Sequence, residues 1–466
     1  MTINLKEKLL FLCILFLALY MRMHFMGRSL FYDELYIAVH GVQAPNLFNA
    51  LFNNYSEVNH LGYTAIAFLT CHILGLKEWT LRLPALLFGL GSIFIFWYWS
   101  RKYFGKATAI IGALLLTLAP AHIIWSTSGR GYSACIFFTI LSTSLYFSLL
   151  EKPSLKTALM LSLTNTVASS FHIYFLCVFL AQFLHFLFVT IIFYTHHEHF
   201  IKRNSLFYIL LSIGSTCLCS ILIYFPTIPA LTSLALGHRS FVSNFPLILL
   251  RDMLSLPLWP LGIVCLILMF IGFIRFNISL LHWRIYIVAL FLMVLPIWLM
   301  KPVYLYPRFF AYLLPFFFLL LANGIVSIIQ DIRNRARPYI LLAMILLMAL
   351  VFWTWFSKPS KIVDDFYYKF RESLQFAQRV ASPYTHFCAF GNEDDFFQFY
   401  SHRPVKTFKT FEDFQEFYNK NNEIICFVMS GPPMTEEHKK IFLFALTLAN
   451  AKAKNFDNII VFDLKG

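Results

Sequence analysis

Leu61-Gly62-Tyr63-Thr64-Ala65-Ile66-Ala67-Phe68-Leu69-Thr70-Cys71-His72-Ile73-Leu74-Gly75-Leu76 decides the fold, because the side of every later loop depends on whether this apolar run crosses a membrane. A spanning helix needs about 20 apolar residues, and this run is shorter. The chain around it has 466 residues, 59% of them hydrophobic, 18% aromatic and only 13% charged, a composition that excludes an ordinary soluble protein. Longer apolar runs fall near 9–25, 84–100, 107–124, 133–150, 157–175, 177–194, 205–225, 257–274, 285–300, 309–330 and 339–356. They predict an α-helical polytopic membrane protein with about eleven transmembrane helices.

The basic residues arbitrate on 61–76. Cytoplasmic loops carry an excess of Lys and Arg. If the run does not cross, Lys6 and Lys8, Arg101-Lys102 with Lys106, Lys152 with Lys156, Lys202-Arg203, Arg275 with Arg284, and Arg333, Arg335 and Arg337 all collect on one side. If it crosses, the first cluster is separated from the rest. We therefore read 61–76 as a re-entrant or interfacial helix inside a long external loop, 28–82, of a membrane domain covering 1–356. The N-terminus is expected in the cytoplasm, the first helix uncleaved, and the protein in the cell inner membrane. The net charge of +14 follows from these loop clusters and does not indicate nucleic acid.

After Phe356 the breaker Lys358-Pro359 and a rise in polar residues mark a small soluble α/β domain, 357–466, expected on the external side. Residues 386–390, 424–428 and 459–462 read as short buried strands, with helices over 362–380, 411–419 and 435–451 between them. Cys388 and Cys426 lie on two of these strands and read as buried thiols, able to pair only in an oxidising compartment. His196-His197-Glu198-His199 places Ile201 where a second metal ligand would fall, and reads as a solvated loop. Glu393-Asp394-Asp395 reads as a turn or helix cap.

The residues with chemistry are those that the parity puts outside. Asp33 and Glu34, in Ser29-Leu30-Phe31-Tyr32-Asp33-Glu34-Leu35-Tyr36, follow the first span. An ionisable pair beside a bilayer marks a functional site by default. Asp33 is the candidate base, its basicity raised by apolar neighbours; it also suits the cap of a short helix starting at Glu34. Arg130 sits in the turn Trp125-Ser126-Thr127-Ser128-Gly129-Arg130-Gly131-Tyr132, with glycines that leave room for a ligand. A guanidinium there can hold a phosphate by two hydrogen bonds or snorkel to headgroups. Lys301 and Arg308, in Lys301-Pro302-Val303-Tyr304-Leu305-Tyr306-Pro307-Arg308, can neutralise an anionic lipid or form an interfacial belt. His60 and Arg82 flank the short run and either join the same site or serve the fold.

The order of these elements, continued by Leu81-Arg82-Leu83-Pro84-Ala85-Leu86-Leu87-Phe88-Gly89, Ala119-Pro120-Ala121-His122, Arg130-Gly131-Tyr132 and Arg308-Phe309-Phe310-Ala311-Tyr312-Leu313-Leu314-Pro315, resembles the GT-C membrane glycosyltransferases. The branch is the one related to protein O-mannosyltransferases and aminoarabinose lipid A transferases, and the likeness is strongest over 28–135. The resemblance implies transfer of a sugar from a polyprenyl-phosphate carrier to a lipid, glycan or protein acceptor on the external face, by direct displacement with inversion. It implies Asp33 as base and Arg130 and Arg308 beside the lipid phosphate; Glu34 is a second acidic candidate without an assigned role, and His60, Arg82, Tyr132 and Lys301 are further candidates for binding substrate. Some members hold a divalent metal through an acidic residue in the turn of Arg130; Ser128 and Gly129 stand there instead, so no cofactor is expected. A non-catalytic lipid or glycan transporter is the alternative, although neither an inverted repeat nor paired broken helices are found. A polymerase or ligase using a diphosphate-linked donor would share the chemistry.

Overall fold

The computed structural model describes residues 4–53, 60–196, 203–228, 244–255, 261–276, 281–299, 306–334, 370–390, 394–401, 403–408, 410–421, 423–429, 436–448, 452–456 and 459–464. Helix α1 (Leu5–Met26) starts where the Asn4 side chain accepts the Glu7 N–H at 2.8 Å, a polar N-cap. It is followed by the one-and-a-half-turn α2 (Tyr32–Tyr36), α3 (Leu61–Leu74) and the long α4 (Glu78–Phe104). Then come α5 (Lys106–Leu118), α6 (Pro120–Ser126), α7 (Tyr132–Glu151), α8 (Leu155–Phe171), α9 (Leu176–His196) and α10 (Arg203–Tyr224).

The ends of α1 fix what happens to the run 61–76. At its start, the buried Glu7 carboxylate pairs with Arg101 at the end of α4 and with Lys106 at 3.4 Å on α5. At its end, the Met26 carbonyl accepts from Arg82 at the start of α4 at 3.1 Å. So α1 and α4 run antiparallel, and segment 27–81 leaves and returns at one end of the helix pair, as a re-entrant or interfacial run requires. α3 has 14 residues, a length of roughly 21 Å at about 1.5 Å per residue, short of the roughly 30 Å hydrocarbon core.

The remaining membrane helices are α11 (Phe245–Leu254), α12 (Ile263–Ile274), α13 (Leu281–Leu292), α14 (Val294–Leu299) and α15 (Leu314–Asn334). The protein is a multi-pass membrane protein, but eleven spans are not seen. Among the described residues 7 helical segments are long and apolar enough to cross, or 8 if one bent pair counts as a single span. That pair is α5 and α6, bent by 65°. Pro120 has no N–H to give and drives Ala119 into extended backbone (ψ 119°), so the apolar run 107–124 is not one rod. The run 157–175 yields a 17-residue helix rich in Ser, Thr and Asn, and 257–274 only the 12 residues of α12. The run 339–356, like Lys301 and His197-Glu198-His199, lies outside the described residues.

The C-terminal region carries α16 (Phe370–Val380), α17 (Asp394–Tyr400), α18 (Phe411–Lys420) and α19 (Glu436–Thr447) around five strands: β1 (His386–Phe390), β2 (Val405–Phe408), β3 (Ile424–Met429), β4 (Lys452–Phe456) and β5 (Ile459–Asp463). The strand order is β2-β1-β3-β5-β4, parallel between β1 and both β2 and β3 and antiparallel at β3/β5 and β5/β4. Alternation sorts the two faces. Phe387, Ala389, Ile425 and Phe427 join one apolar core, and Cys388, Ile424, Cys426 and Val428 the other. Cys388 and Cys426 lie opposite each other in register, both buried and both free.

The side on which the segment joining α3 and α4 lies can be read directly. Lys77 is exposed in that segment; a Lys77→Cys variant should react with an impermeant thiol reagent added outside intact cells. Reaction only after permeabilisation would overturn the external placement of 28–82.

Candidate functional site

Two adjacent acidic residues on α2 go to different places. Glu34 is fully buried, and its carboxylate accepts from Arg82 Nε at 2.8 Å and Nη2 at 2.5 Å, from the Phe31 N–H at 3.1 Å, and from the Gly129 N–H. Arg82 spends its remaining donors on the Met26 (3.1 Å), Arg28 (2.6 Å) and Ser29 (3.0 Å) carbonyls. A guanidinium has five N–H donors, and all five are engaged. The pair thus fastens the loop after α1, the start of α4 and the turn before α7 to one point. The expected roles of Glu34 in catalysis and of Arg82 at a substrate are not what this geometry provides: both side chains are internal and saturated. The expected Asp33 cap is corrected too. α2 begins at Tyr32, and Glu34 at its third position reaches back to the Phe31 N–H.

Asp33, one residue away, faces a partly open site with its side chain 13% exposed. Its Oδ2 lies 3.4 Å from Arg130 Nη1 and 3.5 Å from Arg308 Nη2. Two guanidinium groups therefore face Asp33, besides the apolar residues next to it in sequence. Arg130 reaches this point from a turn that begins where α6 ends. Arg308 arrives from the short 3-10 turn Pro307–Leu313 that leads into α15, its guanidinium over the Tyr306 ring at 4.4 Å.

His60 and Tyr132 belong to the same cluster. The His60 ring takes the Gly131 N–H on Nδ1 at 3.1 Å and meets Arg130 Nη2 with Nε2 at 2.9 Å. A neutral imidazole offers a single acceptor nitrogen, so it can satisfy one of these two donors. Burial, then Arg130, His172 and Arg308, hold the His60 pKa well below its ordinary value, keeping it neutral. Tyr132 and His172 stand edge-on and tilted against it at 5.4 and 4.8 Å. His172, in the turn after α8, is pushed down to about 3, by burial first and then by the same two arginines.

The cluster is rich in unmet hydrogen-bonding capacity. Among the described residues, Arg130 Nε and Nη1, the Tyr132 hydroxyl and His172 Nε2 are buried without a hydrogen bond. Each such group costs about 1–3 kcal/mol, and charged groups more, so the arrangement favours an acceptor-rich anion. The glycines beside Arg130 do not leave the expected room. A Cβ on Gly131 would overlap the Phe171 carbonyl, and one on Gly129 would press within 3.2 Å of Glu34; both are small because protein packs against them.

Sequence reasoning missed two buried residues that support the turn. Arg22, in the last turns of α1, donates from Nε to Ser126 at 2.7 Å and from Nη1 to the Thr117 carbonyl at 3.3 Å, and Nη2 meets His122 Nδ1 at 2.6 Å. It clasps the α5–α6 bend from inside a span. An arginine in an apolar helix is itself the signal. His172 was hidden because a single His carries no pattern.

A family model for dolichyl-phosphate-mannose-protein mannosyltransferases matches residues 61–225. The structure resembles that of ArnT from Cupriavidus metallidurans in the apo state, with a TM-score of 0.61 at 12% identity over 98% of both chains. The chain has the fold of ArnT. ArnT from the same organism bound to undecaprenyl phosphate aligns over 98% of both chains at a TM-score of 0.55 and 13% identity. The archaeal oligosaccharyltransferase AglB from Archaeoglobus fulgidus, in complex with an inhibitory peptide and a dolichol-phosphate, aligns at 0.56 and 10% identity, over 91% of this chain and 70% of its own. No curated protein matches by sequence. The C-terminal sheet domain is included in the ArnT alignment.

Glu34→Gln leaves Arg82 a buried charge without its counter-ion, and should lower stability by about 3–5 kcal/mol. Asp33→Asn, at the open site, should leave stability nearly unchanged. Thermal unfolding of the purified proteins in detergent compares them, and equal losses would remove the division of labour between the two carboxylates.

Proposed function

We propose that the protein is a glycosyltransferase that moves a sugar from a polyprenyl-phosphate carrier to a lipid, glycan or protein acceptor, at the external face of the inner membrane. The observation that carries this reading is a partly exposed carboxylate held between two guanidiniums, one of them buried with unused donors, at the first loop of a GT-C fold. Arg101 and Lys106, which pair with Glu7 at the end of α1 away from the site, support a cytoplasmic N-terminus and, with the loop charges of the sequence, an external C-terminal domain.

The geometry supports the following roles. In the structure Asp33 is the anion that Arg130 and Arg308 face. A carrier phosphate, with more acceptor oxygens and bidentate reach, takes over the two guanidiniums and leaves Asp33 to receive the acceptor. As the acceptor oxygen or nitrogen attacks the anomeric carbon, its proton passes to Asp33, and the bond from that carbon to the phosphate oxygen breaks. Arg130 and Arg308 stabilise the charge that collects on the departing polyprenyl phosphate. One displacement inverts the anomeric centre. His60, kept neutral, orients Arg130, and Tyr132 lends its hydroxyl to the same anion. Charge is neutralised by the arginines, and no metal is assigned a part.

Purified protein incubated with a polyprenyl-phosphate sugar and a panel of acceptors should form product with inverted configuration. Asp33→Asn should lose transfer by about 10²–10⁴-fold, the range for general-base catalysis. Transfer by Asp33→Asn at the wild-type rate would remove Asp33 as the base.

A further inference from the structure

The segment that carries Asp33 is held from outside the membrane domain. The Leu30 N–H donates to the Tyr400 hydroxyl on α17 at 2.9 Å. Arg371, at the start of α16, donates its backbone N–H to Ser29 Oγ at 3.2 Å, and its Nη1 reaches both the Gly27 carbonyl at 3.1 Å and Glu78 Oε1 at 2.9 Å. Glu78 opens α4, one turn before Arg82. These contacts therefore grip the loop 27–30 and the helix end to which the Glu34–Arg82 pair also fastens it.

Apolar packing follows the same line. Leu30, Leu35, Ile37, Tyr63 and Leu81 belong to one continuous buried cluster with Leu374 and Ala377 of α16, Phe397 of α17, and Phe387 and Phe427 of the sheet. One face of the C-terminal sheet and the floor beneath α2 are parts of a single core. Between Leu30 and Asp33 there is less than one turn of chain, so a shift of the loop moves the carboxylate with it.

We propose that the C-terminal domain positions the catalytic segment, with Tyr400 and Arg371 as positioning residues that hold residues 27–34, and thereby set the distance from Asp33 to Arg130 and Arg308. The catalytic half of this inference rests on the transferase reading above; the structural half does not. A misplacement of about 1 Å at a reacting group can cost on the order of 100-fold in rate, so two residues that never touch substrate can govern turnover.

Full-length wild type, Tyr400→Phe, Arg371→Ala and the double variant would be compared by amide hydrogen exchange and by transfer kinetics. Tyr400→Phe removes a single oxygen atom and keeps the ring in the core, so it remains informative if Arg371→Ala fails to fold. The expected result is faster exchange confined to the peptide covering 28–36, with the peptides of α7 and β3 unchanged. It is accompanied by a fall in kcat, about 100-fold in the double variant, with KM for the polyprenyl-phosphate sugar unchanged. Arg371→Lys, which keeps a charge for Glu78, should recover part of the loss. Unchanged exchange over 28–36 overturns the proposal, and so does faster exchange with wild-type kcat. If wild type itself transfers no sugar, the transferase reading fails, and the exchange data alone decide whether the domain holds the loop.

Discussion

The ion pair between Glu34 and Arg82 is the constraint on which the site depends. Both side chains are completely buried, which is costly unless every polar atom finds a partner. Here the partners come from four separate stretches: the end of α1, the loop after it, the start of α4 and the turn that presents Arg130. Breaking into any one of them uncovers a charge. The arrangement is therefore a junction, and what it fixes is the spacing between Asp33 on one side of the knot and Arg130 on the other.

Around that junction the chain separates stability from chemistry with neighbouring residues of the same type. Glu34 is saturated and Asp33 is not; Arg82 has no donor left, whereas Arg130 has buried donors without acceptors. Polar groups left unpaired in a well-packed region call for a ligand to complete them. Arg22 is a second fully buried arginine, hydrogen-bonded to Ala18, Thr117, His122 and Ser126, and it clasps the bend at Pro120 from which α6 delivers the turn. The C-terminal domain holds the same loop through Arg371 and Tyr400.

Much of this was legible in the sequence where the physical signal is long or one-sided. Hydropathy exposed the spanning helices, and the one-sided distribution of Lys and Arg argued that 61–76 does not cross, in keeping with the antiparallel contacts of α1 and α4. The break at Pro120 was visible as a residue but not weighed against the apolar run around it, and eleven spans are not confirmed among the described residues. β1, β3 and β5 were readable as apolar runs because they are central. The edge strands β2 and β4 carry Lys406, Lys452 and Lys454 in place of such a run, as edges that resist further pairing do. At the site, isolated charge on the face expected to be external pointed to Asp33, Arg130 and Arg308. What sequence could not supply was which acid pairs with which base: Asp33 and Glu34 are adjacent carboxylates, and their partners depend on the side of α2 each occupies.

In the proposed mechanism Asp33 stands where a carrier phosphate would meet Arg130 and Arg308. The direct measurement is the affinity of wild type and Asp33→Asn for a polyprenyl phosphate without sugar, by titration of the purified proteins. Removing the carboxylate removes a competitor for Arg130 and Arg308, so the variant should bind as tightly as wild type or more tightly. Clearly weaker binding by Asp33→Asn would contradict the account, since Asp33 would then belong to the lipid's binding site and not to the space the lipid phosphate claims.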